Sequence, residues 1–241
     1  MNTPVTGTTS NQVTAPLCPA GMTTDNSHSL LNENFDDANE LFYFGGWYKT
    51  SGIYNSPTNS IQSGGGNGVL FSLEMYQAIT IPPNAYLHFN HSYDFEFDKY
   101  GYWDGGVLEY SLNNGGSWID AGSLISAGAT YNGTLGRYYS NPNALQGRRA
   151  FVGTNFPYST DPTHMVSSRV NLSSLANKQV IFRFVYGTDK FAYWKGWFVD
   201  DVKIYQCVGT PTVPTIQAPI NNSLTTNYTP LLKIGAIQPL H

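Results

Sequence analysis

Charge is scarce in this chain: 12% of its 241 residues are Asp, Glu, Lys or Arg. Acids outnumber bases 16 to 12. No Lys/Arg cluster exists that would neutralise a row of phosphates, which argues against nucleic acid as a partner. Long apolar runs are absent as well. None approaches the roughly 18 residues of a membrane span, and the N-terminus has neither the basic start nor the apolar stretch of a signal peptide. The expectation is a soluble chain that carries no address of its own. Cysteine is limited to Cys18 and Cys207, with no CxxC or Cys/His pattern for zinc. HExxH and GxSxG are also missing, which removes the signatures of zinc peptidases and of serine hydrolases with a nucleophile elbow.

What the chain has in quantity is aromatic side chains, 15% of its residues, together with 24 Gly and 14 Pro. That balance belongs to a turn-rich sheet protein, and 41% hydrophobic content fills the core of one large all-β domain or two small ones. Short β-type runs such as "GVLFSLEMY", "GGVLEYS", "KQVIFRFVYGT" and "GWFVDDVKIYQC" alternate with turn clusters at sandwich spacing. The fold class read from this pattern is a jelly-roll β-sandwich. "LNNGGSW" carries the Asn114-Gly115 hairpin signal. In a jelly roll the terminal strands lie side by side, so Cys18 and Cys207 either form a disulfide between them or are two inert buried thiols.

Composition divides the chain into three parts. Residues 1–27 are polar, Thr/Pro-rich and without periodicity, a linker or leader. Residues 28–207 form the sandwich. Residues 208–241 are a Pro/Thr-rich linker followed by "APINNSLTTNYTPLL", which resembles the opening strand of bacterial immunoglobulin-like repeats. Low Lys with many Asn, Ser, Thr, Gly and Tyr is the surface of a secreted or cell-surface protein, and the chain reads as a segment of something longer.

The densest chemistry lies in residues 88–118. In "HFNHSYDFEFD", strand alternation places His91, Tyr93, Phe95 and Phe97 on one face and Asn90, Ser92, Asp94, Glu96 and Asp98 on the other. Asp94, Glu96 and Asp98 have the 1, 3, 5 spacing that starts an EF-hand loop, but the glycine falls at position 8, Gly101, where the turn needs it at position 6, and position 12 is Gly105 where the bidentate Glu should be. Three carboxylates on one face repel unless a cation covers them. One reading is therefore a metal-dependent hydrolase built from His88, Asp94, Glu96, Asp98 and Glu109, with His164 from a distance. Glu96 and Glu109 alone also allow a glycosidase-like carboxylate pair. Parity opposes the metal reading for His91, which faces away from Asp94 and Glu96; an ordinary hydrogen-bonded sheet histidine is the simpler account.

Four stretches, "ENFDDA", "DGGVLEYSLNNGGSW", "SSRVNLSSLANKQVIFRFVYGTD" and "GWFVDDVKIY", together resemble the jelly-roll accessory module found beside the catalytic domain of immune inhibitor A-type metallopeptidases and in other bacterial surface proteins, a relative of the MAM domain. The resemblance spans about three quarters of the chain and speaks for fold more than function. It implies a Ca²⁺ ion near the joined ends of the sandwich, with Glu33, Asp36 and Asp37 of the opening motif meeting Asp200 and Asp201 of the closing one. A hard cation taking six to eight oxygens suits such a set. The alternative is that one acid of each pair caps a turn through backbone N–H groups and the other is solvated.

Aromatic residues supply the other candidate site. Tyr100, Tyr102 and Trp103, and Phe191, Tyr193, Trp194 and Trp197, fall in two Gly-flanked clusters, and exposed Tyr or Trp faces stack on sugar rings or on protein partners. Tyr193 and Trp194 are the ligand candidates; Trp197 reads as core and Trp103 as cover for a sheet edge. The expected function is a non-catalytic, calcium-stabilised accessory module of a larger secreted bacterial protein that binds carbohydrate or protein or positions a neighbouring domain. The metal-dependent hydrolase and a structural or adhesive spacer are the alternatives.

Overall fold

A computed structural model describes residues 14–137, 142–156 and 165–209, together with the backbone of two short strands, Ile216–Ala218 and Lys233–Ile234; for residues 26–28 it describes the backbone alone. Among the described residues the chain is a sandwich of two antiparallel sheets. In the first, the order is Ile125–Gly128, Val166–Asn171, Ala85–Asp94, Gly196–Gly209, Ser60–Ser63 and Trp47–Thr50, with Met22–Glu33 paired along the far half of Gly196–Gly209. In the second, Gly133–Thr134, Arg149–Val152, Gly105–Ser111, Gln179–Gly187, Leu70–Met75 and Phe42–Gly45 follow one another. The jelly-roll class expected from the sequence is the fold observed.

Alternation builds the core. Leu87, Phe89, Tyr93 and Phe95 from the first sheet, together with Trp197 and Val199, interdigitate with Val107, Phe151, Phe184 and Tyr186 from the second. Phe89 meets Phe184 edge-on with ring centroids 5.0 Å apart, and Phe95 stacks on Tyr186 at 5.4 Å. Gly106 faces the indole of Trp197: a Cβ there would lie 2.4 Å from the ring, so glycine is what lets the central tryptophan fill the gap. The Asn114-Gly115 signal forms as expected, with both residues at positive φ, 55° and 86°.

The strands begin ahead of the expected boundary at 28. Met22–Glu33 is an edge strand joined to Gly196–Gly209 from Met22↔Gly209 onward, and a disulfide links Cys18 to Cys207. Upstream of it, residues 14–18 lie over the outer face of the first sheet: the Ala15 N–H donates to Ser167 Oγ and Arg169 donates to the Pro16 carbonyl. Its polar composition hides this edge strand, because only one of its faces meets the core. The immunoglobulin-like start expected in 208–241 lies outside the described residues, apart from the two-stranded ladder between Ile216–Ala218 and Lys233–Ile234.

Alternation also stops earlier than expected. The long strand ends at Asp94, and residues 97–102 form a small hairpin in which Phe97 pairs with Tyr102 and Asp98 with Gly101. Asp94, Glu96 and Asp98 are therefore not a ladder on one strand face. After that hairpin the chain crosses to the other sheet, so Glu109 is not on a strand adjacent to Ala85–Asp94.

Candidate functional site

Two antiparallel strands fix the base of the site. Gly105–Ser111 and Gln179–Gly187 pair with Gly105 opposite Gly187, so Asp104 and Asp189 leave the sheet together at one end of the sandwich. The Asp189 backbone N–H donates to Asp104 Oδ1 at 3.0 Å. The hairpin supplies the third acid: the Glu96 carbonyl accepts the N–H groups of Trp103 at 3.0 Å and Asp104 at 3.3 Å, which pins residue 96 beside the strand end. Asp98 shapes the hairpin tip by accepting the N–H groups of Tyr100 and Gly101 through Oδ1.

These elements enclose a cleft of about 340 Å³ lined by Glu96, Asp98, Tyr100, Trp103, Asp189 and Phe191. Tyr100 is 76% and Phe191 67% exposed, so two large rings stand at its mouth with little covering them. Asn143 holds Trp103 from behind, its Nδ2 donating to the carbonyls of Trp103 and Gly187 at 2.8 and 2.7 Å. Trp103 thus belongs to the cleft wall. Tyr193 and Trp194 stand on the same loop as Phe191 but lean on neighbours. A Cβ on Gly65 would lie 2.2 Å from the Tyr193 ring, and Trp194 packs on Phe97 with centroids 5.1 Å apart.

Beneath the rings the carboxylates of Glu96, Asp104 and Asp189 each place an oxygen within 4.8 Å of the others. Asp104 is fully buried, and burial first, then the charges on Glu96 and Asp189, push its carboxyl up to about 8. Glu96 is raised for the same reasons, burial first and then Asp189 and Asp98. Asp104 Oδ2 and Glu96 Oε2 are buried with no hydrogen-bond partner. Asp104 and Asp189 escaped the sequence reading because each sits alone in its own stretch. The "WDGG" and "GTDK" signals converge only through the register of two strands distant in sequence.

The other candidate acids are arranged differently. Asp36 and the Asp200/Asp201 pair do meet on one loop, residues 53–59, but as hydrogen-bond acceptors. Asp36 Oδ1 takes the N–H groups of Thr58 and Asn59 at 2.7 and 2.8 Å, and Asp36 Oδ2 takes Asn34 Nδ2. Asp200 Oδ2 takes the N–H groups of Asn55 and Ser56, and Oδ1 that of Asp201. Asp201 accepts Asn55 Nδ2 and pairs with Lys203 at 3.2 Å. Glu33 accepts the N–H groups of Phe35 and Leu41, one on each oxygen, and Asp37 that of Asn39. A bulge between Asp200 and Lys203, with Asp201 at φ 49°, leaves both aspartates between the core residues Val199 and Val202, on the face that meets the loop 53–59 and Asn90. Burial, then Asp201, raises Asp200 to about 7. A calcium ion needs several oxygens gathered around it; among the described residues these five carboxylates accept N–H groups, and the one cluster of acids with oxygens within 4.8 Å of one another is Glu96, Asp104 and Asp189.

Nor does the hydrolase set assemble. His88 Nε2 lies 3.3 Å from the Ala15 carbonyl on the outer face of the first sheet, and Glu109 is held in the second sheet between Arg148 at 2.6 Å and Arg183 at 2.7 Å. Asp94 ends its strand in a bridge to Thr154. Glu96 and Asp98 share the cleft, without the histidines. His164 lies outside the described residues.

No family model matches the chain, and no curated protein matches it. The likeness to the immune inhibitor A-type module therefore stays with the four sequence stretches. Among solved structures the chain is similar to TmCBM61, determined in complex with beta-1,4-galactotriose, at 11% identity and TM-score 0.42 over 75% of this chain and 99% of that one. It is also similar to a xylan-binding domain of CBM 22, at 10% identity and TM-score 0.41 over 75% of this chain and 96% of that one. A third is the CBM22-1 xylan-binding domain of Paenibacillus barcinonensis Xyn10C, at 12% identity and TM-score 0.40 over 74% and 94%. Likeness so distant says nothing about what this cleft holds.

Proposed function

We propose that the chain is a non-catalytic module that binds carbohydrate in the cleft between Tyr100, Trp103 and Phe191, as an accessory to a larger secreted or cell-surface protein. The observation that carries this reading is the combination of exposed rings with carboxylates in one concave site. A sugar offers an apolar C–H face that stacks on an aromatic ring and hydroxyls that donate to carboxylate oxygens. The cleft, at about 340 Å³, falls within the usual range for small-ligand sites. The Cys18–Cys207 disulfide supports an oxidising compartment.

A glycan array probed with the wild type and with Trp103→Ala and Phe191→Ala tests the reading. Binding to a defined glycan class that both variants lose is expected. Equal binding by wild type and variants rejects the cleft as the site, and no glycan bound at all rejects the carbohydrate reading.

A further inference from the structure

The carboxylate group under the cleft has a property that sugar binding alone does not explain. Asp104 is 0% exposed and its Oδ2 has no hydrogen-bond partner. The same holds for Glu96 Oε2 and, close by, for the hydroxyl of the fully buried Tyr186, on which the charges of Asp104 and Glu96 both act. Orphaned polar atoms thus occur on two of the three clustered acids and on a tyrosine that feels their charge, and buried polar atoms of this kind normally have a protein, water or ion partner. The remaining oxygens are anchored by the backbone: Asp104 Oδ1 accepts the N–H of Asp189, Asp189 Oδ1 that of Phe191 at 2.8 Å, and the Glu96 carboxylate that of Ala192. Each acid is therefore fixed by a backbone N–H.

We propose that Glu96, Asp104 and Asp189 bind one calcium-class divalent cation at the floor of the cleft, with its outward positions open to water or ligand hydroxyls. Oxygens within 4.8 Å of one another suit a shared ion, because two ligands across Ca²⁺ stand about 4.6–5.2 Å apart, twice the usual Ca–O distance. The charged groups acting on Glu96 and Asp104 are themselves carboxylates, so the cation relieves a repulsion that the fold creates. Glu96 and Asp189 line the cleft while Asp104 lies beneath it. The protein ligands thus occupy one side of the ion and leave the other to the cleft. Adjacent sugar hydroxyls would complete the coordination there; that role, unlike the ion site, rests on the carbohydrate reading above. The site differs from the one expected at Glu33, Asp36, Asp37, Asp200 and Asp201.

The test is Ca²⁺ alone, titrated by calorimetry into chelator-treated protein up to the millimolar range of extracellular calcium modules. Terbium luminescence sensitised by Trp103 is the second readout. One ion per chain is expected. Binding should weaken by about tenfold or more in Asp104→Asn, which keeps an Oδ1 acceptor for the Asp189 N–H, and in Glu96→Gln, and it should persist in Asp36→Asn. No binding by the wild type, or binding lost in Asp36→Asn and kept in Asp104→Asn and Glu96→Gln, overturns the proposal. Glycan binding measured with and without chelator separates the two claims. Ion binding without any glycan binding upholds the cation site and overturns the carbohydrate reading, whereas glycan binding with no ion does the reverse.

Discussion

Trp197 donates its indole N–H to Nδ1 of His91 at 3.3 Å in the centre of the sandwich. The other ring nitrogen, Nε2, lies 3.0 Å from Ser168 Oγ, and Ser168 passes its own proton to the Ala129 carbonyl at 2.6 Å. The chain of donors fixes one neutral tautomer of His91, protonated on Nε2, within a cage that includes Phe89 and Phe151.

That arrangement predicts acid sensitivity. Burial, and then the neighbouring His88, push the His91 imidazole down from 6.5 to about 3. A histidine depressed in the folded state contributes its full stability above the unfolded value and loses it as pH falls from about 6.5 toward 3, because the unfolded chain takes the proton first. At pH 4 the loss is on the order of 3 kcal/mol. Denaturant unfolding at pH 7 and pH 4 should show a smaller acid loss in His91→Gln than in the wild type; equal losses would show that His91 is not the group concerned.

The contact between Gly106 and Trp197 predicts an overpacking penalty. Gly106→Ala puts a methyl 2.4 Å from the indole and should destabilise by about 1–3 kcal/mol. Gly101→Ala, whose Cβ would meet Trp103 at an ordinary 3.5 Å, is the matched control and should change stability little. Thermal melts of both variants check the difference.

Reduction of Cys18–Cys207 should lower the melting temperature. The bridge closes a loop of 189 residues, and removing a cross-link over a long loop typically costs about 2–5 kcal/mol. It also ties residues 14–18 over the outer face of the first sheet. The Cys18→Ala/Cys207→Ala variant should therefore gain protease sensitivity at the N-terminal segment before the strands themselves open. Simultaneous cleavage throughout would contradict that order.

Glu109 is predicted to be structural. It is buried between Arg148 and Arg183, and Arg183 also lies over the Trp118 ring at 3.9 Å. Glu109→Gln should cost about 1–3 kcal/mol by weakening the charge-assisted bonds, with glycan binding unchanged. A loss of binding at unchanged stability would return Glu109 to the functional site.

The sequence made some of this legible and hid the rest for physical reasons. Alternation in "HFNHSYDF" correctly put His91, Tyr93 and Phe95 on one face, since period-2 patterning is local. The same rule failed at Phe97 and Glu96, because the strand ends at Asp94 and nothing in the alternation marks its end. Asn114-Gly115 was readable because a turn needs only its own residues. The meeting of Asp104 with Asp189 depends on the register Gly105↔Gly187, a non-local fact. Of the acids expected to hold calcium, Asp36, Asp200 and Asp201 all accept hydrogen bonds from one loop, residues 53–59. Which way their oxygens turn was set by the backbone of residues 55–59, beyond what residue types tell.

The proposal that the cleft binds carbohydrate is tested most directly by nitrogen–proton correlation spectra of the five tryptophan indoles during titration with the best oligosaccharide from the array. The Trp103 signal should shift and saturate with the ligand, while that of buried Trp197 stays in place. A saturating shift confined to Trp118, or binding that leaves Trp103 unmoved, would contradict the assignment of the cleft.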